Sequence, residues 1–382
     1  PVALECALDT WAKRADVTLP DAPLPLPVEA LDDEAIAAAA KILGAAERPI
    51  VVVGGGATEA SAEVIAIAEL LEAPVSSYRR GRGVIPSSHR LAVDMPVGHR
   101  LWKDADAVLA IGTRFFIQNG SWGIDKKLKV VRLDIDPDEP DRFRKPDVAL
   151  VGDAATQLRA LIAALPKHNR ARTSRAEELK GHRAWLTDRL SRLEPQTGFL
   201  KAIRNALPED GIFVDEVSQM GFASRVALPI EKPRTYLSPG YQDNLGWGFG
   251  TALGAKAAMP DRKVLAIAGD GGFMYQVGEL ATAARHNLAV VVVVFDNGAF
   301  GNVKRIQQQA YGNRLIASDL QNPDFAKLAD SFGIASFKAT DPKQLEDALH
   351  KAFALNAPAL VWVPHGDVPS PWDLIMMPKV RG

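Results

Sequence analysis

Short apolar runs alternate with amphipathic stretches along most of this chain. The runs consist mainly of Val, Ile, Leu and Ala, and several of them stop at Gly or Asp. They are too short for helices and are typical of strands buried on both faces of a parallel sheet. They lie at residues 49–53, 74–77, 105–111, 130–135, 212–214, 264–268, 289–295 and 359–363.

Helical patterns between these strands indicate the fold class. Helices are predicted at residues 32–46, 61–72, 275–286 and 323–332, and another is expected to end near Ala258. The repeated order of strand, turn and helix predicts an α/β protein with two doubly wound parallel-sheet domains.

A proline-rich stretch helps to define the domain organisation. Residues 16–28 contain four prolines among apolar residues, which is typical of an extended linker. Before it, a strand is predicted to be under way already at Pro1, so the chain is expected to begin inside a larger protein. The expected parts are residues 1–30 (the end of a preceding domain and the linker), 31–165 (first sheet domain), 166–194 (helical connection), 195–364 (second sheet domain) and 365–382 (a docked tail).

Composition and charge narrow the classes of function. The 382 residues are 47% hydrophobic and 24% charged, which is ordinary for a soluble α/β protein. A formal charge of −1 gives no overall field that would attract nucleic acid or an anionic membrane. The single cysteine, Cys6, excludes an intrachain disulfide and a zinc site built from cysteines. No apolar run approaches the roughly 20 residues that span a bilayer, and a cytoplasmic location is expected.

The candidate chemistry lies in residues 264–302, which are predicted to form a strand, helix and strand. The right-handed crossover of such a unit brings both strand ends to one edge of the sheet, so Asp270 and Asn297 are expected to converge. A carboxylate, an amide oxygen and the backbone carbonyl of Ala299 suit an octahedral Mg²⁺ that also binds phosphate oxygens. The glycines around Asp270 and a helix N-terminus favour a diphosphate.

These residues also carry a family resemblance. Gly269-Asp270-Gly271, with Asn297 ending the next strand, resembles the signature of the thiamine diphosphate (ThDP) enzymes. The family usually has Asn-Asn where this chain has Asp296-Asn297, and the second Asn, its metal ligand, is kept. The resemblance implies a central nucleotide-fold domain followed by a C-terminal domain that binds ThDP and Mg²⁺.

The resemblance assigns a role to a glycine-dense segment at residues 237–254 as well. In the family, a bulky aliphatic residue there bends the cofactor so that its aminopyrimidine reaches C2 of the thiazolium ring. Leu245 is the matching residue, and an ordinary core leucine beside glycines is a close alternative.

Three polar residues follow the first strand of the second domain and should share the edge that carries Asp270. Ser218 or Gln219 would donate to the diphosphate and Glu216 would orient a neighbour, although a plain turn explains them nearly as well. The candidate cofactor-binding residues are Glu216, Ser218, Gln219, Asn244, Leu245, Gly269, Asp270, Gly271, Gly272, Phe273, Asn297, Ala299, Phe300 and Gly301, and the candidate metal ligands are Asp270, Asn297 and Ala299.

The layout is most similar to the acetolactate synthase and benzoylformate decarboxylase group, whose substrates are small 2-oxo acids or aldehydes. In acetolactate synthases a tryptophan follows the metal loop, and Ile306 replaces it here, which argues against acetolactate formation. Val303 and Ile306 would then line an apolar substrate pocket and act with Leu245 in catalysis. They are equally well explained as core residues of an amphipathic helix.

The resemblance implies a further domain that binds the pyrimidine ring and supplies an activating glutamate. Residues 1–8 resemble the end of that domain, and Glu5 is poorly placed to replace the glutamate. We therefore expect the chain alone to bind Mg²⁺ and diphosphate weakly and not to turn over. The missing domain would lie on another segment or chain, and a homodimer or homotetramer is expected, because family sites form between subunits.

A glycine turn in the first domain raises the question of a second cofactor. Gly54-Gly55-Gly56 departs from the dinucleotide-binding pattern, since Glu59 stands where the third glycine should be. Some family members bind FAD or ADP in this domain, and Asp134 and Asp136 stand where those members contact a ribose. Tight structural turns are the favoured explanation for both segments.

Two other classes of function stay open at this point. The chain would be a nucleotide-binding or regulatory module if the metal site held another diphosphate and the first domain held a dinucleotide. Alternatively, it would be a noncatalytic scaffold that has kept the fold. Two basic runs, at residues 79–82 and 167–183, lack the interleaved aromatics of single-strand binders and predict solvated surface and an interdomain helix.

Overall fold

The computed structural model describes residues 5–22, 31–240 and 242–382, which belong to two units, residues 1–30 and 31–382. In the first unit Leu8–Thr10 form one turn of 3-10 helix, and Lys13 pairs with Asp9 at 2.6 Å. Most of the strand predicted at Pro1 lies outside the described residues, as do residues 23–28 of the predicted linker. Residues 16–20 are in neither helix nor strand.

The second unit begins with a six-stranded sheet in which all neighbouring strands are parallel. Its order, β3-β2-β1-β4-β5-β6, reverses direction at β1 and β4, which is the doubly wound arrangement. The strands are β1 (Pro49–Val53), β2 (Val75–Ser77), β3 (Ala92–Asp94), β4 (Ala107–Ile111), β5 (Lys129–Asp134) and β6 (Val148–Val151). The accompanying helices are α1 (Asp33–Ala45), α2 (Ser61–Leu71), α3 (Met95–Trp102) and α4 (Ala154–Ala164).

A connecting helix, α5 (Ala176–Leu190), leads to the second six-stranded parallel sheet, whose order is β11-β12-β10-β9-β7-β8. Its strands are β7 (Ile212–Val214), β8 (Tyr236–Leu237), β9 (Val264–Gly269), β10 (Val290–Asp296), β11 (Ala335–Lys338) and β12 (Ala359–Pro364). Its helices are α6 (Gln196–Ala206), α7 (Gln219–Ala227), α8 (Gly248–Ala258), α9 (Asp270–Met274), α10 (Glu279–Arg285), α11 (Gly301–Ala310), α12 (Phe325–Ser331) and α13 (Pro342–Ala354). The predicted α/β fold with two doubly wound parallel sheets is therefore confirmed.

The predicted single helix at residues 275–286 is wrong. The chain turns into α9 directly at Asp270 and leaves helical geometry after Met274, so that α9 and α10 are separate. Residues 275–279 form tight turns instead. In one of them the backbone N–H of Glu279 donates a hydrogen bond to the carbonyl oxygen of Gln276 at 2.9 Å. The positive end of the helix therefore lies at Asp270 itself.

The interpretation of the basic run at residues 79–82 as solvated surface is wrong for Arg79 and Arg82, whereas Arg80 is exposed. The side chain of Arg82 is 3% exposed, and its guanidinium donates to the carbonyl oxygen of Ser224 at 2.6 Å in the second sheet domain. Arg79 donates to the carbonyl oxygen of Gly240 at 2.8 Å. A buried guanidinium needs several acceptors, and carbonyl groups of the neighbouring domain supply them here.

The glycine turn after β1 has a packing explanation. A side-chain Cβ at Gly54 would lie 2.3 Å from the carbonyl oxygen of Gly112, and one at Gly56 would lie 2.7 Å from the Cα of Gly112. Gly112 itself has a φ of +53°. Two backbone segments therefore touch here, which accounts for these glycines without a nucleotide.

The described helices include none that is both long and apolar enough to cross a membrane.

Candidate functional site

A cavity of about 200 Å³ opens at the carboxyl edge of the second sheet, beyond the ends of β7, β9 and β10. This is where ligands bind in open α/β sheets, because the direction of the crossovers reverses there. The lining residues are Val217, Ser218, Gln219, Met220, Leu245, Gly269, Asp270, Gly271, Gly272, Phe295, Asn297, Ala299, Phe300, Gly301, Asn302, Val303 and His365.

Asp270 is the buried carboxylate of this cavity. It is 2% exposed and begins α9, so β9 and the helix together fix its position. Burial raises the pKa of the Asp270 carboxyl above its usual value, and the nearby Asp296 acts in the same direction. The amide of Asn322 donates to Asp270 at 2.7 Å and to Asp296 at 2.7 Å, and so links the two acids.

The loop after β10 brings Asn297 and Ala299 to the same cavity. Gly298 allows the turn because its φ is +66°, a conformation that other residues rarely adopt. Ala299 pairs with Asp319 in an antiparallel bridge, and the backbone N–H of Phe300 donates to the carbonyl oxygen of Ser318 at 2.8 Å. The loop is thus held by backbone hydrogen bonds on its outer side.

Asp296 supports this loop rather than lining the cavity. Its carboxylate accepts from the backbone N–H of Gly298 at 3.1 Å and from the indole N–H of Trp362 at 2.9 Å. The amide of Asn322 is the third donor to this carboxylate. Asp296, which stands where the ThDP enzymes usually have Asn, therefore accepts three hydrogen bonds through its side chain.

Two helices of ordinary length point their N-terminal ends at the cavity. Gln219, the first residue of α7, and Gly301, the first residue of α11, both line it. Ser218 caps α7 by accepting from the backbone N–H of Gly221 at 3.0 Å, and the side-chain oxygen of Gln219 is buried without a partner among the described residues. Helix N-termini attract anions, so this edge suits phosphate oxygens.

The glycines of residues 269–272 keep the cavity floor open. A Cβ at Gly271 would lie 2.4 Å from the ring of Phe300, and one at Gly272 would lie 2.8 Å from the carboxylate of Glu216. Side chains at these positions would therefore displace the neighbours that shape the cavity.

Leu245 lines the cavity from the loop between β8 and α8. Glu216 holds this loop from beneath, because its carboxylate accepts from the backbone N–H of Gly246 at 2.5 Å and of Gly248 at 2.8 Å. Glu216 is 0% exposed and does not line the cavity. The neighbour that Glu216 orients is therefore the backbone of this loop.

Burial raises the pKa of Glu216 to about 7, against the opposing effect of the two backbone donors. Between about pH 5 and pH 7 the folded protein therefore keeps a proton that the unfolded chain releases, so the contribution of Glu216 to stability falls as the pH rises. The free energy of unfolding therefore has a negative contribution to its slope against pH in this range. We expect Glu216→Gln to remove that contribution, which is about 1.4 kcal/mol per pH unit. Urea unfolding of both proteins from pH 5 to pH 7.5 measures the difference in slope.

The control for this measurement is Glu177→Gln, because the side chain of Glu177 is 87% exposed. This variant should show the same slope of stability against pH as the parent protein. That slope also contains contributions from other buried acids and histidines. Equal slopes for Glu216→Gln and the parent would show that Glu216 titrates normally.

Four of the predicted site residues do not line the cavity. Glu216 lies beneath it, Asn244 is exposed, and the side chain of Phe273 is fully buried in the core. Ile306 lies on α11, beyond Val303, which does line the cavity.

The interpretation of Val303 and Ile306 as core residues is excluded. They are 46% and 40% exposed, and none of the ten residues of α11, all of them described, is buried. The apolar face of this amphipathic helix is therefore uncovered in the described chain.

Sequence reasoning missed Asn322 and His365. Asn322 lies 52 positions from Asp270 in a loop without a motif. His365 follows β12, so its place at the sheet edge was available from the strand pattern, and its backbone N–H donates to the carbonyl oxygen of Asp296 at 2.8 Å. Burial lowers the pKa of the His365 imidazole.

The oxygen-bearing residues that line the cavity are of the kinds that divalent cations prefer. The described residues contain no group of three His, Cys, Asp or Glu side chains that could hold a metal, but two of the three candidate ligands here are an amide and a backbone carbonyl. No ion pair between described residues includes Asp270 or Asp296, so this pair of acids lacks a cationic partner of its own. A bound Mg²⁺ would supply one.

Two family models match the chain in the regions of the two sheets. The central domain of thiamine pyrophosphate enzymes matches residues 36–161, and their C-terminal TPP binding domain matches residues 216–363. Thiamine pyrophosphate is another name for ThDP.

Several curated proteins are similar over most of this chain. A probable acetolactate synthase large subunit of Methanocaldococcus jannaschii is 33% identical over 85% of the chain and 58% of its own length. A probable 2-ketoarginine decarboxylase, AruI, of Pseudomonas aeruginosa is 31% identical over 87% of the chain and 60% of its own length. The acetolactate synthase large subunit of Corynebacterium glutamicum is 30% identical over 98% of the chain and 64% of its own length.

The chain thus spans less than two thirds of the length of these relatives. The regions that the two family models match correspond to the two doubly wound sheets. The chain belongs to the thiamine diphosphate-dependent enzyme family.

Proposed function

We propose that this chain supplies the central domain and the cofactor-binding domain of a ThDP- and Mg²⁺-dependent 2-oxo acid decarboxylase or carboligase. The observation that carries the proposal is the cavity that Asp270, Asn297 and Leu245 share at the edge of the second sheet. One wall offers metal ligands and helix N-termini, and the other offers an aliphatic side chain.

Each part of the chain has a defined task in this proposal. Asp270, Asn297 and the carbonyl group of Ala299 would hold Mg²⁺, while Asn322 fixes the orientation of Asp270. The N-termini of α7 and α11 would bind the diphosphate. Leu245 would press on the cofactor from the opposite loop and set its bend.

Bound ThDP supplies a nucleophilic carbon and an electron sink for the carbonyl carbon of a 2-oxo acid or aldehyde. The protein residues position the substrate and exclude water. Val217, Met220 and Val303 are the apolar side chains that would contact it, and Ile306 extends this surface along α11.

The activating glutamate is proposed to come from a pyrimidine-binding domain on another segment or chain. The curated relatives are longer than this chain, which leaves room for such a domain in the complete enzyme. We therefore propose that the 382 residues alone bind ThDP weakly and do not turn over. A homodimer or homotetramer would complete the sites.

Calorimetry tests the proposal and separates it from a nucleotide-binding module. We expect titration of ThDP to release heat only when Mg²⁺ is present, and titration of NAD or FAD to give no signal above dilution. The reason is that Mg²⁺ held by Asp270, Asn297 and Ala299 would supply the positive charge that the diphosphate requires, whereas packing accounts for the glycine turn of the first domain. Tight binding of NAD or FAD without a response to ThDP would overturn the proposal.

A further inference from the structure

A cluster of four charged residues joins the loop that carries Leu245 to both sheet domains. Arg225, on α7, donates to Asp215 at 2.9 Å and to the two carboxylate oxygens of Asp243 at 2.8 and 3.0 Å. Arg79, from the first domain, donates to the same carboxylate of Asp243 at 2.5 Å. Asp243 lies two positions before Leu245, so this cluster holds one flank of the loop.

The cluster is buried on the side of the second sheet. The side chains of Asp215 and Arg225 are 0% and 1% exposed, and Ser238 donates to Asp215 at 3.0 Å. A buried Arg paired with two carboxylates is held in one geometry, because leaving any of these charges unpaired is costly. Asp243 therefore has a fixed anchor.

The other flank of the same loop is held by Glu216 through Gly246 and Gly248. Asp215 and Glu216 are neighbours at the end of β7, and each acts on a different side of Leu245. The side chain of Leu245 thus projects into the cavity from a loop that is fastened before and after it.

Backbone geometry is consistent with this anchor. Asp243 has a φ of +51°, a left-handed conformation that Asp, like Gly and Asn, adopts more readily than other residues. The hydrogen bonds to both of its carboxylate oxygens hold this side chain, and with it the turn that leads to Leu245.

We propose that Asp243, gripped by Arg225 and by Arg79 of the first domain, is a positioning residue that keeps Leu245 in the cavity. This inference rests on the proposed function, since Leu245 acts there on bound ThDP. It gives the first sheet domain a part in the cofactor site through Arg79, without any ligand of its own.

The first test is Asp243→Asn, which keeps the size of the side chain and suits a positive φ. One oxygen becomes an amide N–H₂ that faces the guanidinium groups, so at least one charge-assisted hydrogen bond is lost. We expect faster hydrogen exchange in residues 242–248 of the ligand-free protein and about tenfold weaker Mg²⁺-dependent ThDP binding. Asp188→Asn, which removes a carboxylate with a 64% exposed side chain, is the control.

A second variant decides whether the effect passes through Leu245. In a Leu245→Ala background, Asp243→Asn should cause little further loss of ThDP affinity, because the side chain that the loop positions is already gone. Arg79→Met should reproduce part of the Asp243→Asn effect, since it removes only the contact from the first domain.

The outcomes separate this inference from the proposed function. If the parent protein fails to bind ThDP with Mg²⁺, the proposed function fails and the positioning role falls with it. If the parent protein binds but Asp243→Asn keeps its affinity, or weakens binding equally in the Leu245→Ala background, the positioning role alone is overturned.

Discussion

Replacing Asp270 by Asn is expected to abolish Mg²⁺-dependent binding of ThDP while leaving the fold intact. Asn has the same size and still accepts a hydrogen bond from Asn322, but it removes the charged ligand of the candidate metal site. Loss of a residue that only supports a ligand typically costs 10- to 100-fold in metal affinity, so loss of the ligand itself should cost at least about 100-fold. Calorimetric titration of ThDP at fixed Mg²⁺ measures the change.

The control for this experiment is Asp319→Asn. Asp319 pairs with Lys304 near the same loop, but its side chain is 72% exposed and it does not line the cavity. We expect this variant to bind like the parent protein. Unchanged binding by Asp270→Asn would exclude Asp270 as a metal ligand and would contradict the proposed function.

The parts of the fold that sequence predicted well are those with continuous apolar runs. Residues 49–53 and 212–214 match β1 and β7, and the runs that became β9 and β10 were placed in one strand, helix and strand unit. These strands are buried, so their composition alone carries the signal.

The strands at the edges of the sheets were not predicted. β3, β6, β8 and β11 have two to four residues each, and β11 contains no buried residue. Their strand conformation depends on pairing with a neighbour, which a local pattern does not record.

The candidate site shows the same division between local and distant information. The convergence of Asp270 and Asn297 followed from chain topology, and both residues line one cavity. Asn322 and the buried contacts of Arg82 depend on segments far apart in sequence, so neither had a local signal. The metal and cofactor roles of the site residues remain predictions, as do the domain boundaries.

Phe273 illustrates a residue whose place in the core was missed because it follows the glycine motif. Its side chain is 0% exposed and contacts the rings of Phe249 and Phe325, with centroid distances of 5.5 and 6.0 Å. Phe273 can therefore contribute to the cavity only through its backbone. Its side chain instead ties the short helix α9 to the core.

Replacing Phe273 by Ala is expected to lower the free energy of unfolding by about 3–5 kcal/mol, the usual cost of removing a buried phenyl ring. A helix of five residues has almost no stability of its own, so the position of α9 depends on this packing. Because Asp270 is the first residue of α9, the same variant should weaken Mg²⁺-dependent ThDP binding even under conditions in which it stays folded. Urea unfolding measures the stability, and calorimetry below the unfolding transition measures the binding.

Tyr275→Ala separates the effect of the buried ring from that of any change near α9. Tyr275 lies two positions further along the chain and is 66% exposed, so its removal should change stability by no more than about 0.5 kcal/mol. Phe273→Leu should fall between the two, since it keeps part of the buried apolar volume. A loss of less than about 1 kcal/mol for Phe273→Ala would show that the buried ring does not hold α9 in place. The placement of Asp270 would then depend on β9 and Asn322.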